Sequence, residues 1–203
     1  MSSSGVTTRS FKLLTIGETD VGKTSIINKY VNDIFGNCTP TVGIVYSSKL
    51  VTFQNDVINL NLYDTSGQER YHSLAFQNFR GVDIFLIIFD LSKRNSFEAI
   101  PSWYNDIMKN NSKKTMVICI VGNKADLKDD VIINDSEVQQ VIKKLKNKYE
   151  IRYYKTSAKT GEGIETMFKE LVEQRVNLGE EETTEVENLF LSQRSTKKRG
   201  HCC

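Results

Sequence analysis

Residues 17–24 read Gly17-Glu18-Thr19-Asp20-Val21-Gly22-Lys23-Thr24. They match the pattern Gly-x-x-x-x-Gly-Lys-Ser/Thr, whose backbone N–H groups and lysine surround phosphate groups and whose last hydroxyl binds Mg²⁺. The segment follows the apolar run Phe11–Ile16 and precedes a helical pattern, so the positive end of that helix would point at the phosphates. We therefore predict a strand, a phosphate-binding loop and a helix in this order, although the pattern alone does not distinguish ATP from GTP.

The rest of the chain alternates between strand and helix patterns. Six segments show the apolar runs or the alternation of β-strands, namely Phe11–Ile16, Ile44–Phe53, Val57–Tyr63, Ile84–Phe89, Met116–Val121 and Arg152–Lys155. The polar residues Gln54-Asn55-Asp56 predict a hairpin turn between the second and the third strand. Helical patterns lie between the strands, namely after Lys23 and over residues 96–109, 138–145 and 164–172. Ser136 and Gln139 are the predicted capping box of the third helix.

This order of elements predicts the fold class. We expect a three-layer α/β/α domain of the P-loop NTPase class, with a six-stranded, mostly parallel sheet and one antiparallel edge strand. In such folds ligands bind outside the carboxyl ends of the strands, so the functional residues should lie there.

Composition sets the outer limits. The chain has 39% hydrophobic and 26% charged residues and a net charge of +2, which is ordinary for a globular protein and gives no reason to expect a nucleic-acid partner. The N-terminus has no signal-peptide pattern, and the longest apolar run is too short to cross a bilayer. We expect a flexible N-terminus over residues 1–9, one domain over residues 10–176 and a disordered tail over residues 177–203.

A second polar cluster follows the third strand, as Asp64-Thr65-Ser66-Gly67-Gln68. An acidic residue at this place can hold Mg²⁺ through water, and Gly67 can offer its N–H group to a γ-phosphate. Gln68 can orient an attacking water molecule. Taken alone, the cluster could be a polar turn, but its position after a phosphate-binding loop favours a hydrolytic site.

Two further clusters follow the last two strands. Asn123-Lys124-Ala125-Asp126 supplies a carboxylate that can accept hydrogen bonds from the N1–H and 2-amino groups of guanine. Adenine lacks this pair of donors, and an unpaired buried polar group is heavily penalised. Thr156-Ser157-Ala158-Lys159 follows the final strand, and its backbone amides could reach guanine O6. The base predicted from these clusters is guanine.

The four clusters, in this order and spacing, resemble the small GTPases of the Ras superfamily over about Phe11 to Val176. Within that superfamily the chain looks most like a Rab protein. The Rab-like segments are residues 67–74, Phe79-Arg80-Gly81, Thr41-Val42-Gly43 and the terminal Cys202-Cys203.

The resemblance implies a site for GTP, GDP and Mg²⁺ at the positions that match the family's motifs. Gln68 is the implied catalytic residue, and the implied Mg²⁺ ligands are Thr24, Thr41 and Asp64. Phe35 matches the aromatic residue that packs on guanine. The implied nucleotide-binding residues are Thr19, Asp20, Val21, Gly22, Lys23, Thr24, Ser25, Phe35, Thr41, Asp64, Gly67, Asn123, Lys124, Asp126, Ser157, Ala158 and Lys159.

The resemblance also implies a membrane anchor and a set of partners. Cys202 and Cys203 match a doubly geranylgeranylated terminus, and two lipid chains with a basic patch anchor a protein stably. That patch would be Lys197, Lys198 and Arg199. The implied partners are a guanine nucleotide exchange factor, a GTPase-activating protein, a GDP-dissociation inhibitor or prenylation escort protein, and effectors. We expect a monomer on the cytoplasmic face of an endomembrane, with some similarity to endosomal Rab proteins. It would control vesicle traffic and hydrolyse GTP slowly without an activating protein.

The chain departs from the Rab pattern at several positions. Asp20 stands where a small residue is usual, and we expect its charge to weaken GTP binding by about 1 kcal/mol. Ser66 replaces an alanine, and the segment between Lys23 and Thr41 is one residue shorter than usual. The positions of the family's hydrophobic effector-facing triad are more polar than usual, being Tyr46, Tyr63 and Asn78.

Two alternatives to a GTPase switch remain from the sequence. A P-loop ATPase or nucleotide kinase is disfavoured by Asp126 and by the lack of a lid insertion. A nucleotide-binding scaffold that no longer hydrolyses stays open because of Asp20 and Ser66.

Overall fold

The computed structural model describes residues 8–36, 43–54, 56–65, 76–145 and 149–179, apart from the side chains of Phe76 and Gln77. Within these ranges the strands are β1 (Thr8–Ile16), β2 (Ile44–Phe53), β3 (Asp56–Thr65), β4 (Ile84–Asp90), β5 (Val117–Asn123) and β6 (Ile151–Lys155). The helices are α1 (Lys23–Asn32), α2 (Arg94–Glu98), α3 (Ile100–Asn110), α4 (Asp135–Leu145) and α5 (Ile164–Asn177), and short 3₁₀ turns cover Phe76–Phe79 and Lys128–Asp130. No helix among these residues is long and apolar enough to span a membrane.

The described strands form one six-stranded sheet in the order β2-β3-β1-β4-β5-β6. β1 pairs in parallel with β3 and β4, and β5 lies in parallel between β4 and β6. Only the β2–β3 pair of this sheet is antiparallel. The predicted three-layer architecture with one antiparallel edge strand is therefore confirmed.

Both faces of the sheet are covered, because the central strands are apolar on both sides. Every residue of β4 and β5 is buried, as expected for parallel strands between two helical layers. One core contains Leu13, Leu86 and the α5 residue Phe168. The other contains Leu14, Phe85 and other buried residues, including Trp103 of α3. Because β1, β3, β4, β5 and β6 run in parallel, their carboxyl ends, where the sequence motifs lie, meet at one edge of the domain.

The helix predicted over residues 96–109 is two helices, and this prediction was wrong. α2 ends at Glu98 and α3 begins at Ile100, with Pro101 in its first turn. Proline fits a first turn but cannot supply the N–H group that a continuous helix needs. The chain therefore starts a new helix at this point.

The predicted capping box of α4 was also misplaced. Asn134 precedes the helix, and its Oδ1 accepts the backbone N–H of Glu137 at 3.0 Å, while Glu137 Oε2 accepts the backbone N–H of Asn134 at 3.1 Å. This reciprocal pair is the capping box. Ser136 lies inside the helix, and its hydroxyl donates to Asn134 Oδ1. Similarly, Asp56 of the predicted hairpin turn belongs to β3.

Candidate functional site

The loop over residues 17–24 connects β1 to α1 in a conformation that two glycines permit. Gly17 has φ 141°, and a Cβ atom there would lie 2.1 Å from the Ile88 carbonyl oxygen. Gly22 has φ 95°, and a Cβ atom there would lie 2.3 Å from Asn123 Nδ2. Both positions combine a left-handed backbone with a close approach that only glycine tolerates. The loop is therefore packed directly against β4 and the end of β5.

Lys23 places a buried positive charge within this loop. Its side chain is almost fully buried, and Nζ donates to the carbonyl oxygens of Gly17 and Glu18, each at 2.9 Å. α1 begins at the same residue, and no acidic side chain lies in its first turn. The ammonium group and the positive end of the helix thus point to one place, which suits a phosphate group.

Two of the three predicted metal ligands are in direct contact. The Thr24 hydroxyl donates to Asp64 Oδ2 at 2.6 Å, and the Thr15 hydroxyl donates to Asp64 Oδ1 at 3.2 Å. Asp64 is buried at the end of β3. A hydroxyl and a carboxylate beside a phosphate-binding loop fit Mg²⁺, which usually takes one or two protein ligands together with substrate phosphates and water. The donor set therefore fits the ion that the sequence predicts.

Asn123 joins three loops through one buried amide. Its Nδ2 donates to the Val21 carbonyl oxygen at 2.9 Å, and its Oδ1 accepts the backbone N–H of Ala158 at 3.2 Å. The first contact reaches the phosphate loop and the second reaches the loop after β6. Asn123, a predicted site residue, thus connects these loops through hydrogen bonds.

Asp126 is held by the loop after β6. Its Oδ1 accepts the Ser157 hydroxyl at 2.6 Å, and its Oδ2 lies 3.9 Å from Lys159 Nζ. Ser157 and Ala158 are buried. The hydrogen bond from Ser157 therefore fixes the orientation of the carboxylate. Asp126 also lines a cleft together with other predicted site residues.

That cleft has a volume of about 550 Å³. The predicted site residues that line it are Asp20, Gly22, Ser25, Phe35, Asn123, Lys124, Asp126, Ala158 and Lys159. Gly36 and Leu127 also line it and were missed. Leu127 directly follows Asp126, the residue predicted to read the base, and this adjacency is the signal that could have found it.

Asp20 has a left-handed backbone, with φ 66°, which aspartate tolerates better than most residues. Its carboxylate is paired with Lys93, whose Nζ lies 2.8 Å from Oδ2, and its backbone oxygen accepts Lys124 Nζ at 2.8 Å. The hydrogen bond from Lys93 holds the pKa of Asp20 below its ordinary value. The sequence predicted the unusual charge but not the residue that balances it.

Asp90 was also not predicted from the sequence. It is fully buried at the end of β4, and its Oδ2 lies 2.8 Å from Lys124 Nζ. Burial opposes its ionisation, yet hydrogen bonds from Lys124 and Ser92 hold the pKa of Asp90 below its ordinary value. Asp90 thereby orients Lys124 of the cluster that the sequence predicts to read the base.

Other predicted functional residues lie outside the described residues. These are Ser66 and the nucleotide, metal and catalytic candidates Thr41, Gly67 and Gln68, together with the basic patch at 197–199 and the lipidation candidates Cys202 and Cys203.

Comparisons with known proteins agree with this geometry. The family model named Ras family matches residues 12–177. The Ras-related protein Rab-18 of Lymnaea stagnalis is 31% identical over 193 residues, which cover 95% of this chain and 93% of that protein. The Ras-related protein Rab-31 of Mus musculus is 32% identical over 198 residues, covering 96% of this chain and 98% of that protein. A putative ras-related protein Rab-5B of Dictyostelium discoideum is 34% identical over 163 residues, covering 80% and 74%.

Proposed function

The chain belongs to the Ras family of small GTPases, and within it to the Rab proteins, and we propose that it is a guanine-nucleotide switch that recruits effectors to a membrane in intracellular transport. As a member of that family it binds GTP and hydrolyses it to GDP and phosphate. The proposal concerns the cycle between the two nucleotide states, the use of Mg²⁺, the partners and the membrane.

One observation supports the guanine switch most strongly. The phosphate-binding loop and Asp126 line the same cleft, and Ser157 holds the Asp126 carboxylate through one oxygen. A carboxylate fixed in this way can accept hydrogen bonds from the N1–H and 2-amino groups of guanine. A base without these donors would leave the carboxylate without a partner in the cleft. The cleft therefore selects the base at one end and the phosphates at the other.

The residues of the loop divide the work on the phosphates. Lys23 would move its ammonium group from the carbonyl oxygens of Gly17 and Glu18 to the β- and γ-phosphates. Thr24 and Asp64 would hold Mg²⁺, which when bound neutralises charge on those phosphates. Gln68 would orient the attacking water, since this is the role of the matching glutamine in the family.

We propose the edge of the sheet at β2 and β3 as the effector surface. Tyr46 is 54% exposed and packs edge-to-face on Tyr63, while its hydroxyl donates to Asn61 Oδ1 at 2.7 Å. The surface thus combines aromatic area with hydrogen-bonding groups. Exchange factors, activating proteins and a GDP-dissociation inhibitor or prenylation escort protein complete the proposed partners, and we propose that the protein itself is a monomer.

The proposed membrane anchor is the C-terminal pair Cys202 and Cys203, modified by two prenyl groups and assisted by Lys197, Lys198 and Arg199. Each buried CH₂ group of a lipid contributes about 0.8 kcal/mol, so two chains anchor stably where one binds only marginally. The site would be the cytoplasmic face of an endomembrane. Fractionation of cells that express the two single cysteine variants and the double variant tests the anchor. A double variant that still pellets with membranes contradicts it.

Base identity and turnover test the switch itself. Nucleotide released by denaturing the purified protein should be GDP or GTP, identified by chromatography, and a single-turnover assay should show slow hydrolysis that an activating protein accelerates. Release of an adenine nucleotide would contradict guanine selection. Conversion of bound GTP that no activating protein accelerates would contradict the regulated cycle.

A further inference from the structure

We propose that Lys93 is a specificity-determining residue of the nucleotide site, which compensates the charge of Asp20 and thereby preserves the affinity for a triphosphate over a diphosphate. The proposal rests on the guanine-nucleotide site described above. It adds a residue that the nucleotide-binding motifs do not contain.

The position of Asp20 creates the need for compensation. Its residue lies in the phosphate-binding loop and lines the cleft. A carboxylate there repels the phosphates of a nucleotide, and it repels GTP more than GDP because GTP carries additional negative charge. An uncompensated Asp20 would thus lower affinity and would favour the hydrolysed product.

Lys93 is placed to cancel this charge. Its Nζ lies 2.8 Å from Asp20 Oδ2, although 73 residues separate the two in the chain. The pair replaces a single negative charge by a dipole whose field falls off faster with distance, and Lys124, whose Nζ donates to the Asp20 backbone oxygen, adds a further positive charge nearby. The hydrogen bond between them lowers the pKa of Asp20 and raises the pKa of Lys93, so both stay charged at neutral pH.

The backbone of Lys93 is fixed on both sides. Its N–H group donates to the Asp90 carbonyl oxygen at 3.0 Å, and its own carbonyl oxygen accepts the Ser96 hydroxyl at 2.7 Å. Lys93 is also the residue that precedes α2. The ammonium group therefore starts from a fixed point beside the phosphate loop rather than from a mobile surface segment.

The pair has little to do with folding stability. The side chains of Lys93 and Asp20 are 44% and 74% exposed, and exposed ion pairs typically contribute about 0–1 kcal/mol. Lys93 should therefore act on ligand binding much more than on the fold. A loss of nucleotide affinity without a loss of stability therefore distinguishes the proposed role of Lys93 from a structural role.

The test compares affinities for GDP and for a non-hydrolysable GTP analogue in four proteins: the parent, Lys93→Ala, Asp20→Asn and the double variant. Asparagine suits Asp20 because it tolerates the left-handed backbone. Lys93→Ala should bind the GTP analogue about fivefold more weakly and GDP about twofold more weakly. Asp20→Asn should bind the GTP analogue about two- to fivefold more tightly. The double variant, whose local charge equals that of the parent, should return close to parental values.

Four further measurements sharpen the experiment. Lys93→Arg keeps the pair and should restore parental affinity. Lys143→Ala removes the same charge from an exposed position in the last turn of α4, outside the residues that line the cleft, and should have almost no effect. The deficit of Lys93→Ala should shrink in about 1 M salt, where the screening length is about 3 Å. Melting temperatures of the GDP-bound proteins should stay close together.

Several results would overturn the proposal. Unchanged affinities in Lys93→Ala would do so, as would a loss of GTP selectivity in Asp20→Asn, which would make the carboxylate a support for the loop. A double variant that binds as weakly as Lys93→Ala would show that Lys93 contacts the ligand directly. In all these cases guanine binding itself would persist, so they differ from a failure of the proposed function, in which the parent would not select guanine.

Discussion

Acidic side chains lie at both ends of the central sheet, but their surroundings differ. At the amino end of β4, Asp83 accepts hydrogen bonds from Arg175 Nε at 2.8 Å, from Lys113 Nζ at 2.6 Å and from the backbone N–H of Lys12 at 2.9 Å. Arg175 is itself buried, lies 4.8 Å from the ring centre of Phe11 and donates to a backbone oxygen. This network is satisfied from within the protein.

The cleft at the other end is built differently. Asp126 has a strong hydrogen bond to only one of its oxygens among the described residues, and the other oxygen has Lys159 Nζ at 3.9 Å. Burial of a charged side chain therefore does not by itself identify a functional site. What distinguishes the cleft is hydrogen-bonding capacity directed into a space that a ligand can enter.

The largest effect that tests this contrast is expected from Asp126→Asn. The change replaces an acceptor pair by one acceptor and one donor, so it should weaken GTP binding by roughly 2–4 kcal/mol and improve the relative affinity for xanthine nucleotides. Competition binding with the two nucleotides measures both. Asp129→Asn, an exposed neighbour, is the control, and equal GTP affinity in the Asp126 variant and the parent would remove Asp126 from base recognition.

Arg175→Met should have the opposite effect to Asp126→Asn: it should lower stability and leave nucleotide affinity unchanged. Loss of the guanidinium leaves Asp83 buried with Lys113 as its remaining side-chain partner, so the free energy of unfolding should fall by about 2 kcal/mol. GTP affinity of the folded protein should not change. Denaturant unfolding at saturating GDP measures the first, and Arg152→Met is the control, because the ion pairs of Arg152 are longer, at 3.7 Å, and more exposed. A variant no less stable than this control would show that the network contributes little.

Gln68→Leu addresses the cleft end through catalysis rather than binding. Without the amide that orients water, turnover stimulated by an activating protein should fall at least about tenfold, while GDP affinity stays unchanged. Single-turnover kinetics with and without the activating protein give the answer. Matching rates for variant and parent would exclude Gln68 from the mechanism.

The smallest expected effect comes from the residue that caps α4. Asn134→Ala removes the cap of α4 and should lower the free energy of unfolding by about 1 kcal/mol without changing nucleotide affinity. Gln139→Ala, at the position that the sequence pattern favoured, should have almost no effect. Thermal unfolding of the two GDP-bound variants decides which pair forms the capping box.

The fold could be predicted from local patterns, because parallel strands buried on both faces leave long apolar runs such as Ile84–Phe89. The break between α2 and α3 was missed, since the pattern of apolar residues continues through Pro101. The clustering of the candidate phosphate-loop and base-loop residues around one cleft could be predicted because each motif is contiguous. Asp90 and Lys93 could not, because their partners Lys124 and Asp20 reach them only after the strands have aligned.

The contacts of Asn123 have a further consequence, because its one side-chain amide connects the predicted phosphate-binding loop to the loop after β6, which holds Asp126. The amide thereby fixes the separation between the two proposed recognition points without a ligand. A free base or inorganic phosphate would occupy only one of these two points. A nucleotide would occupy both and would gain affinity from the high effective concentration of its second half. We therefore expect the cleft to discriminate between ligands by their length as well as by their base and their charge.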